Sequence, residues 1–230
     1  MRESLFIKYI VTIFLGLSLF LYPHPVVLPE ADLQSESELS WVMKKIKERE
    51  RGLKTFTARF VQTKKTYLLK EPLRSEGLIY FDRAGKMLLR VTSPSPLIVL
   101  LKDNMLLVHY PDLSRTEERY LGRTDDILST YFGIGQSITE LQKQYAIQLV
   151  SKIHSDGYCL KLIPKMEAIT KYIETIEVLV SPKNWLPERI HFKEVKGDNT
   201  SLSLQFTSIN EPLPPGIFSV DIPRGEGDDI

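Results

Sequence analysis

The chain carries few imidazole or thiol side chains: His24, His109, His154, His191 and the lone Cys159. The histidines are scattered without ligand spacing, and one thiol builds neither a disulfide framework nor a thiolate cage. No metal and no cofactor is expected. Ser93, Ser95, His109 and Asp112 include the residue types of a hydrolytic triad, yet no serine lies in the G-x-S-x-G setting of a nucleophile elbow. His109 reads instead as a strand-end histidine, and Cys159 as a small buried apolar group among strand residues. Gly133-Ile134-Gly135 lacks the further glycine and the strand-to-helix setting of a dinucleotide loop, so it reads as a hinge. Asp125-Asp126 fits a helix start and Glu117-Glu118 a solvated edge. No catalytic centre emerges, and the chain is not expected to be an enzyme.

What remains in quantity is apolar surface. Within residues 77–110, the runs Gly77-Leu78-Ile79-Tyr80-Phe81, Met87-Leu88-Leu89, Leu97-Ile98-Val99-Leu100-Leu101 and Met105-Leu106-Leu107-Val108 follow one another. A half-solvated antiparallel strand alternates apolar and polar residues, and these do not. Both faces must therefore be covered, by a second sheet, by helices or by a ligand that is itself oil. Phe56, Ala58 and Phe60 alternate with Thr57 and Arg59 and predict the opening strand. Later strands are expected over residues 145–151, 158–164, 172–180, 188–196 and 201–209, joined at Asp156-Gly157, Pro182-Lys183-Asn184 and Gly197-Asp198-Asn199. The pattern is a long antiparallel meander.

With 230 residues, 43% of them hydrophobic, the chain can bury one good core, and a single domain over residues 32–230 is expected. Thirty basic residues against 29 acidic ones leave a net charge of +1 and no basic field, so nucleic acid is not a partner. Residues 1–31 read as a signal peptide: Arg2 and Lys8 precede an uncharged apolar run over residues 9–22, with cleavage near Ala31. That run is shorter than the roughly 20 residues of a comfortable membrane span, so a retained anchor is the weaker alternative.

Beyond it, Ser35 and Glu38 form a capping box for an amphipathic helix whose apolar stripe is Leu39, Val42, Met43, Ile46 and Leu53. Its mixed charges suit a helix that closes the sheet rather than one lying on a membrane. Between Thr124 and Lys143 the period changes. Thr124 caps a first short helix ending at Gly133, and Ser137 with Glu140 caps a second. Helices this short cannot stand alone, so Ile127, Leu128, Tyr131, Phe132, Ile138 and Leu141 must lean on the sheet, which makes them a candidate lid.

The order of these elements, together with several local strings, resembles the LolA-type carriers of outer-membrane lipoproteins. The strings are Phe56-Thr57-Ala58-Arg59-Phe60-Val61-Gln62, then Glu76-Gly77-Leu78-Ile79-Tyr80-Phe81-Asp82-Arg83, Leu88-Leu89-Arg90-Val91-Thr92 and Ser95-Pro96. Leu160-Lys161-Leu162-Ile163-Pro164, Leu186-Pro187 and Phe218-Ser219-Val220-Asp221-Ile222-Pro223 continue the likeness over most of residues 39–225. The resemblance implies an α+β, mainly β fold: an incomplete antiparallel barrel of about eleven strands with an N-terminal helix and a short helical lid over an apolar cavity. It implies a monomeric periplasmic carrier that takes acylated lipoproteins from an inner-membrane releasing complex and passes them to an outer-membrane acceptor lipoprotein. The family's lid-locking arginine falls on Arg83, whose fork of donors suits the free carbonyls of short helices, while an ordinary solvated turn residue is the competing reading. Family members often place aromatic residues in the following strand. Here Met87, Leu88 and Leu89 stand, with Arg90 after them, so the lining is expected to be more aliphatic or Arg90 to point outward.

The expected cavity wall is Leu78, Tyr80, Leu88, Leu97, Val99, Leu106 and Val108, with Ile127, Leu128, Tyr131 and Phe132 in the lid. Sheltering acyl chain is worth roughly 0.8 kcal/mol per methylene, on the order of 12 kcal/mol for a chain of about sixteen carbons. A carrier must give much of that back to release its cargo, and short glycine-flanked helices suit such a gate. The alternative is a periplasmic lipid-binding sensor or scaffold of the same fold that transfers nothing. An acceptor lipoprotein would be expected to carry a lipid-attachment cysteine near its start, and this chain has none there.

Overall fold

The computed structural model describes residues 33–120, 138–153 and 157–219. In chain order the elements are α1 (Leu33–Gly52), β1 (Thr55–Lys65), β2 (Leu73–Asp82), β3 (Lys86–Ser93), β4 (Leu97–Lys102), β5 (Met105–Tyr110) and β6 (Arg115–Tyr120). They continue with α2 (Ile138–Gln144), β7 (Tyr145–Ile153), β8 (Gly157–Pro164), α3 (Glu167–Thr170), β9 (Ile173–Val180), β10 (Pro187–Glu194) and β11 (Asn199–Ile209). The protein is mainly β. Its eleven strands run in the order β6-β5-β4-β3-β2-β1-β11-β10-β9-β8-β7, and because β6 and β7 are not neighbours the sheet does not close. Among the described residues no helix is long and apolar enough to cross a membrane. The chain divides into two compact units, residues 1–51 with 129–199 and residues 52–128 with 200–230.

In the first unit α1 lies against the strands from β7 to β9. Leu39, Val42, Met43 and Ile46 recur at helical spacing, and they meet Tyr158, Leu160 and Leu162 of β8 and Val180 of β9 in one apolar cluster. β8 alternates cleanly, with Tyr158, Leu160, Leu162 and Pro164 buried and the residues between them half-buried. Cys159 belongs to the half-buried set and is not the buried apolar group the sequence suggested; burial first, and the Glu177 carboxylate second, push its thiol pKa up. Trp41 of α1, Tyr158 and Trp185 form an aromatic trio in which Tyr158 stacks on Trp185 at 5.3 Å and Trp41 meets Trp185 edge-on at 5.2 Å. Trp185 holds a left-handed φ of 57°, fixed by its amide bonding Ser181 O at 2.9 Å and by Leu186 N donating to Asn184 Oδ1 at 3.0 Å.

The helix start differs from expectation. α1 already runs at Leu33, so the backbone of Ser35 lies within the helix and not at its start. Nothing in Leu33 or Gln34 breaks a helix, and a capping box read from residue types alone does not say where the turn begins. The expected first lid helix and Ser137 lie outside the described residues; α2 follows at Ile138.

In the second unit β1 to β6 form successive antiparallel hairpins, with β11 on the far side of β1. The β4–β5 turn is a two-residue one, closed by the pair Lys102 and Met105, in which Asp103 and Asn104 both take positive φ of 52° and 64°. β6 was not legible as a strand. Its sequence, Arg-Thr-Glu-Glu-Arg-Tyr, shows almost nothing apolar because it is an edge strand, where charge discourages further pairing. Gly77 is required by packing: a Cβ there would stand 1.9 Å from the carbonyl oxygen of Arg90 and 2.9 Å from the Phe60 ring. The β2–β3 ladder also shifts register between Glu76 and Gly77. Gly77→Ala should therefore cost about 3 kcal/mol in urea unfolding. Gly52→Ala, where the added methyl meets nothing within 4 Å, should stay within about 1 kcal/mol of the parent.

Candidate ligand-binding face

Register decides which apolar residues of the second unit stand together, because residues directly opposite each other in an antiparallel ladder point to the same side. Three rows run across the strands on one side, two of them from β1 to β5 and the third from β1 to β4. The first is Phe56, Phe81, Met87, Leu101 and Leu106; the second is Ala58, Ile79, Leu89, Val99 and Val108; the third is Phe60, Gly77, Val91 and Leu97. No polar side chain interrupts them, and apart from Gly77 and the half-buried Ile79 and Leu106 every member is buried. Phe56 stacks on Phe81 at 5.0 Å and meets Phe206 of β11 edge-on at 5.3 Å. This is the phenylalanine face.

The opposite side carries Thr57, Tyr80, Leu88, Leu100 and Leu107 in one row and Arg59, Leu78, Arg90, Ile98 and His109 in the next. Leu88 has no exposed surface even so. At one end of this side Thr55, Asp82, Lys86 and Lys102 share a recess of about 290 Å³ with Leu213, Pro214 and residues 216–219 of the segment after β11.

The seven residues expected to form one wall do not share a face. Leu97, Val99, Leu106 and Val108 lie on the phenylalanine face, whereas Leu78, Tyr80 and Leu88 point to the reverse. A period of two makes each one-residue step a change of side, and runs apolar at every position conceal which side is which. Phe56, Phe60, Phe81 and Leu101, which were not among the expected wall residues, stand on the same face as Leu97, Val99, Leu106 and Val108, and so does Met87. The signal was present in β1: Thr57 and Arg59 mark one side, and pairing carries that parity into the later strands. Arg90 faces the reverse side, outside the phenylalanine rows.

At β6 the apolar rows end in charge. Leu106 pairs with Arg119, Val108 with Glu117 and Tyr110 with Arg115. Arg115 bonds Glu117 and also lies over the Tyr110 ring, 5.8 Å from its centre. Burial, then the Glu117 carboxylate, push the Tyr110 phenol up to about 12, against the opposing pull of Arg115, so it stays a neutral hydrogen-bonding group. His109 shares a 3.0 Å hydrogen bond with the Thr116 hydroxyl through Nδ1. Among the described residues no three His, Cys, Asp or Glu side chains cluster as a metal site would require.

Arg83 stands in the β2–β3 turn and grips the link between α1 and β1. Its guanidinium donates to Leu53 O at 3.1 Å and its amide to Lys54 O at 2.8 Å. These acceptors belong to the α1–β1 link and not to the short lid helices for which its fork of donors was expected. The expected lid partners Ile127, Leu128, Tyr131 and Phe132 lie outside the described residues. Asn210, unforeseen from sequence, holds the same link from β11. It donates to Gly52 O at 2.7 Å, accepts from Lys54 N at 2.7 Å, and takes a φ of 61°.

An open antiparallel sheet of eleven strands with a continuous apolar face defines the half-barrel class of fold. Residues 51–221 match the family described as outer membrane lipoprotein carrier protein LolA, and the chain belongs to that family. Its fold is also similar to a LolA superfamily protein of Nitrosomonas europaea (16% identity, 79% of this chain and 97% of that one, TM-score 0.39). The lipoprotein LppX of Mycobacterium tuberculosis (13%, 78% and 99%, 0.49) and a chain of the Pseudomonas aeruginosa MucA/MucB complex (15%, 78% and 68%, 0.44) are further fold relatives. No curated protein matches the chain.

Asn210→Ala should lower stability by about 2 kcal/mol, from two lost hydrogen bonds and a left-handed φ without a residue suited to it. Asn210→Gly should recover the backbone part only, and chemical denaturation of both variants separates the two contributions.

Proposed function

We propose that this protein is a periplasmic carrier that shelters the acyl chains of lipoproteins against the phenylalanine face and moves them from the inner to the outer membrane. The observation that carries the reading is the set of three unbroken apolar rows in a chain of the carrier family. Cargo would come from an inner-membrane releasing complex and leave to an outer-membrane acceptor. Residues 1–31 would serve as the export signal and residues 32–230 as one carrier domain, with no chemical step performed on the cargo.

The side chains of that face are already withdrawn from solvent, which constrains how loading would work. An acyl chain entering there exchanges protein contacts for lipid contacts. Its grip is the difference between two burials and not the gross value of about 12 kcal/mol for a chain of about sixteen carbons. Such an exchange permits release without an external energy source at the acceptor. Arg83, which stands at the link between α1 and β1, would act on the expected lid residues Ile127, Leu128, Tyr131 and Phe132 and so set how readily the exchange begins.

Adjacent residues on opposite faces provide the test. Leu106 lies on the phenylalanine face and Leu107 on the reverse, and both are half-buried. With a triacylated lipopeptide as cargo and native mass spectrometry as the readout, Leu106→Asp should reduce retained cargo at least about tenfold, the equivalent of roughly 1.4 kcal/mol. Leu107→Asp should leave retention near the parent value. Equal retention by both variants would contradict the reading.

A further inference from the structure

The β1–β2 hairpin ends in a tip whose composition suits neither solvent nor the protein's own core. Beyond the last pair, Lys64 with Leu73, the chain runs out through residues 65–72. There Tyr67, Leu68 and Leu69 are 75%, 57% and 46% exposed, the one run of three consecutive exposed large apolar residues among the described residues. The other exposed apolar side chains are scattered singly, which is ordinary for a protein surface. The tip is also folded. Leu69 N donates to Thr66 O at 3.3 Å and Leu68 N to the Thr66 hydroxyl at 3.4 Å, so a turn holds these side chains outward at little further entropic cost. Lys65 and Lys70 flank it, both exposed, with Glu71 the acidic residue beside them and Arg74 occupied by Glu76.

We infer that residues 65–72 form a membrane-interface contact that dips Tyr67, Leu68 and Leu69 into an anionic bilayer while Lys65 and Lys70 rest at the headgroups. A convex tip with an aromatic hydroxyl and two leucines fits the boundary between headgroup and acyl chain, where tyrosine is favoured, and the flanking lysines match anionic lipid. Three side chains give a shallow and reversible contact. That suits a protein which visits a membrane surface, and the contact stands independently of what the phenylalanine face binds.

The experiment places an indole at the tip with Leu68→Trp in the full chain and measures its quenching by brominated phosphatidylcholine in vesicles containing about 30% phosphatidylglycerol. The parent's signal from Trp41 and Trp185 is subtracted. This reads the depth of the tip itself, whatever else holds the chain to the vesicle. The introduced indole should be quenched and blue-shifted in anionic vesicles. Lys65→Gln and Lys70→Gln should each weaken the anionic response about fivefold, and Tyr67→Ser with Leu69→Ser should abolish the quenching. No quenching in anionic vesicles, or quenching indifferent to the lysines, overturns the inference. So does an unquenched indole combined with slower cargo uptake in the lysine variants, which would assign the tip to a protein partner. Cargo retention on the Leu106 and Leu107 variants can fail or succeed separately from this result.

Discussion

β3, β4 and β5 carry apolar residues on both faces of the sheet, and the register of β1 to β5 decides which side each one joins. In-register pairing gathers Phe56, Phe81, Met87, Leu101 and their neighbours on one side and Leu88 and Leu100 on the other. The phenylalanine side is the more deeply withdrawn of the two, buried at all but Gly77, Ile79 and Leu106, and no polar side chain interrupts it; on the reverse side Leu88 is wholly buried, while Tyr80 and Leu107 in its row are half-buried. A slip of one residue at any ladder would mix the two sets and destroy both. Gly77 and the register shift beside it belong to the same requirement, because the Phe60 ring and the Arg90 carbonyl approach there too closely for any side chain.

The link between α1 and β1 is held by polar ties from two distant parts of the chain. Arg83 from the β2–β3 turn and Asn210 from the end of β11 together engage Gly52, Leu53 and Lys54. Each tie is a hydrogen bond of modest net worth, so the junction is fixed in geometry without being costly to rearrange. The charged edge at β6 ends the apolar rows with Arg115, Glu117 and the neutral Tyr110 phenol, a polar margin suited to the headgroup end of an amphiphile.

The strands were legible where composition and turn chemistry agree. Phe56, Ala58 and Phe60 announced β1 by alternation, and the apolar runs from Leu97 to Leu101 and from Met105 to Val108 marked β4 and β5. The helix stripe of Leu39, Val42, Met43 and Ile46 was equally plain, and it forms part of the first unit's core. What failed was parity. Leu78, Tyr80 and Leu88 were grouped with Leu97 and Val99 because apolar character alone carries no face label, and only the pairing partners supply one. β6 was hidden for the opposite reason, as an edge strand made of charges. Asn210 could not be seen at all: its two side-chain bonds reach residues more than 150 positions earlier in the chain.

The central claim is that acyl chain lies on the phenylalanine face and on no other. The most direct measurement is photolabelling with a lipopeptide carrying a diazirine in its acyl chain, followed by mapping of the modified residues by mass spectrometry. The account predicts adducts at residues such as Leu89, Val99, Leu101 and Val108, and none at Leu88, Ile98, Leu100 or Leu107. Labelling that ignores this alternation, or that falls on the second set, would contradict it.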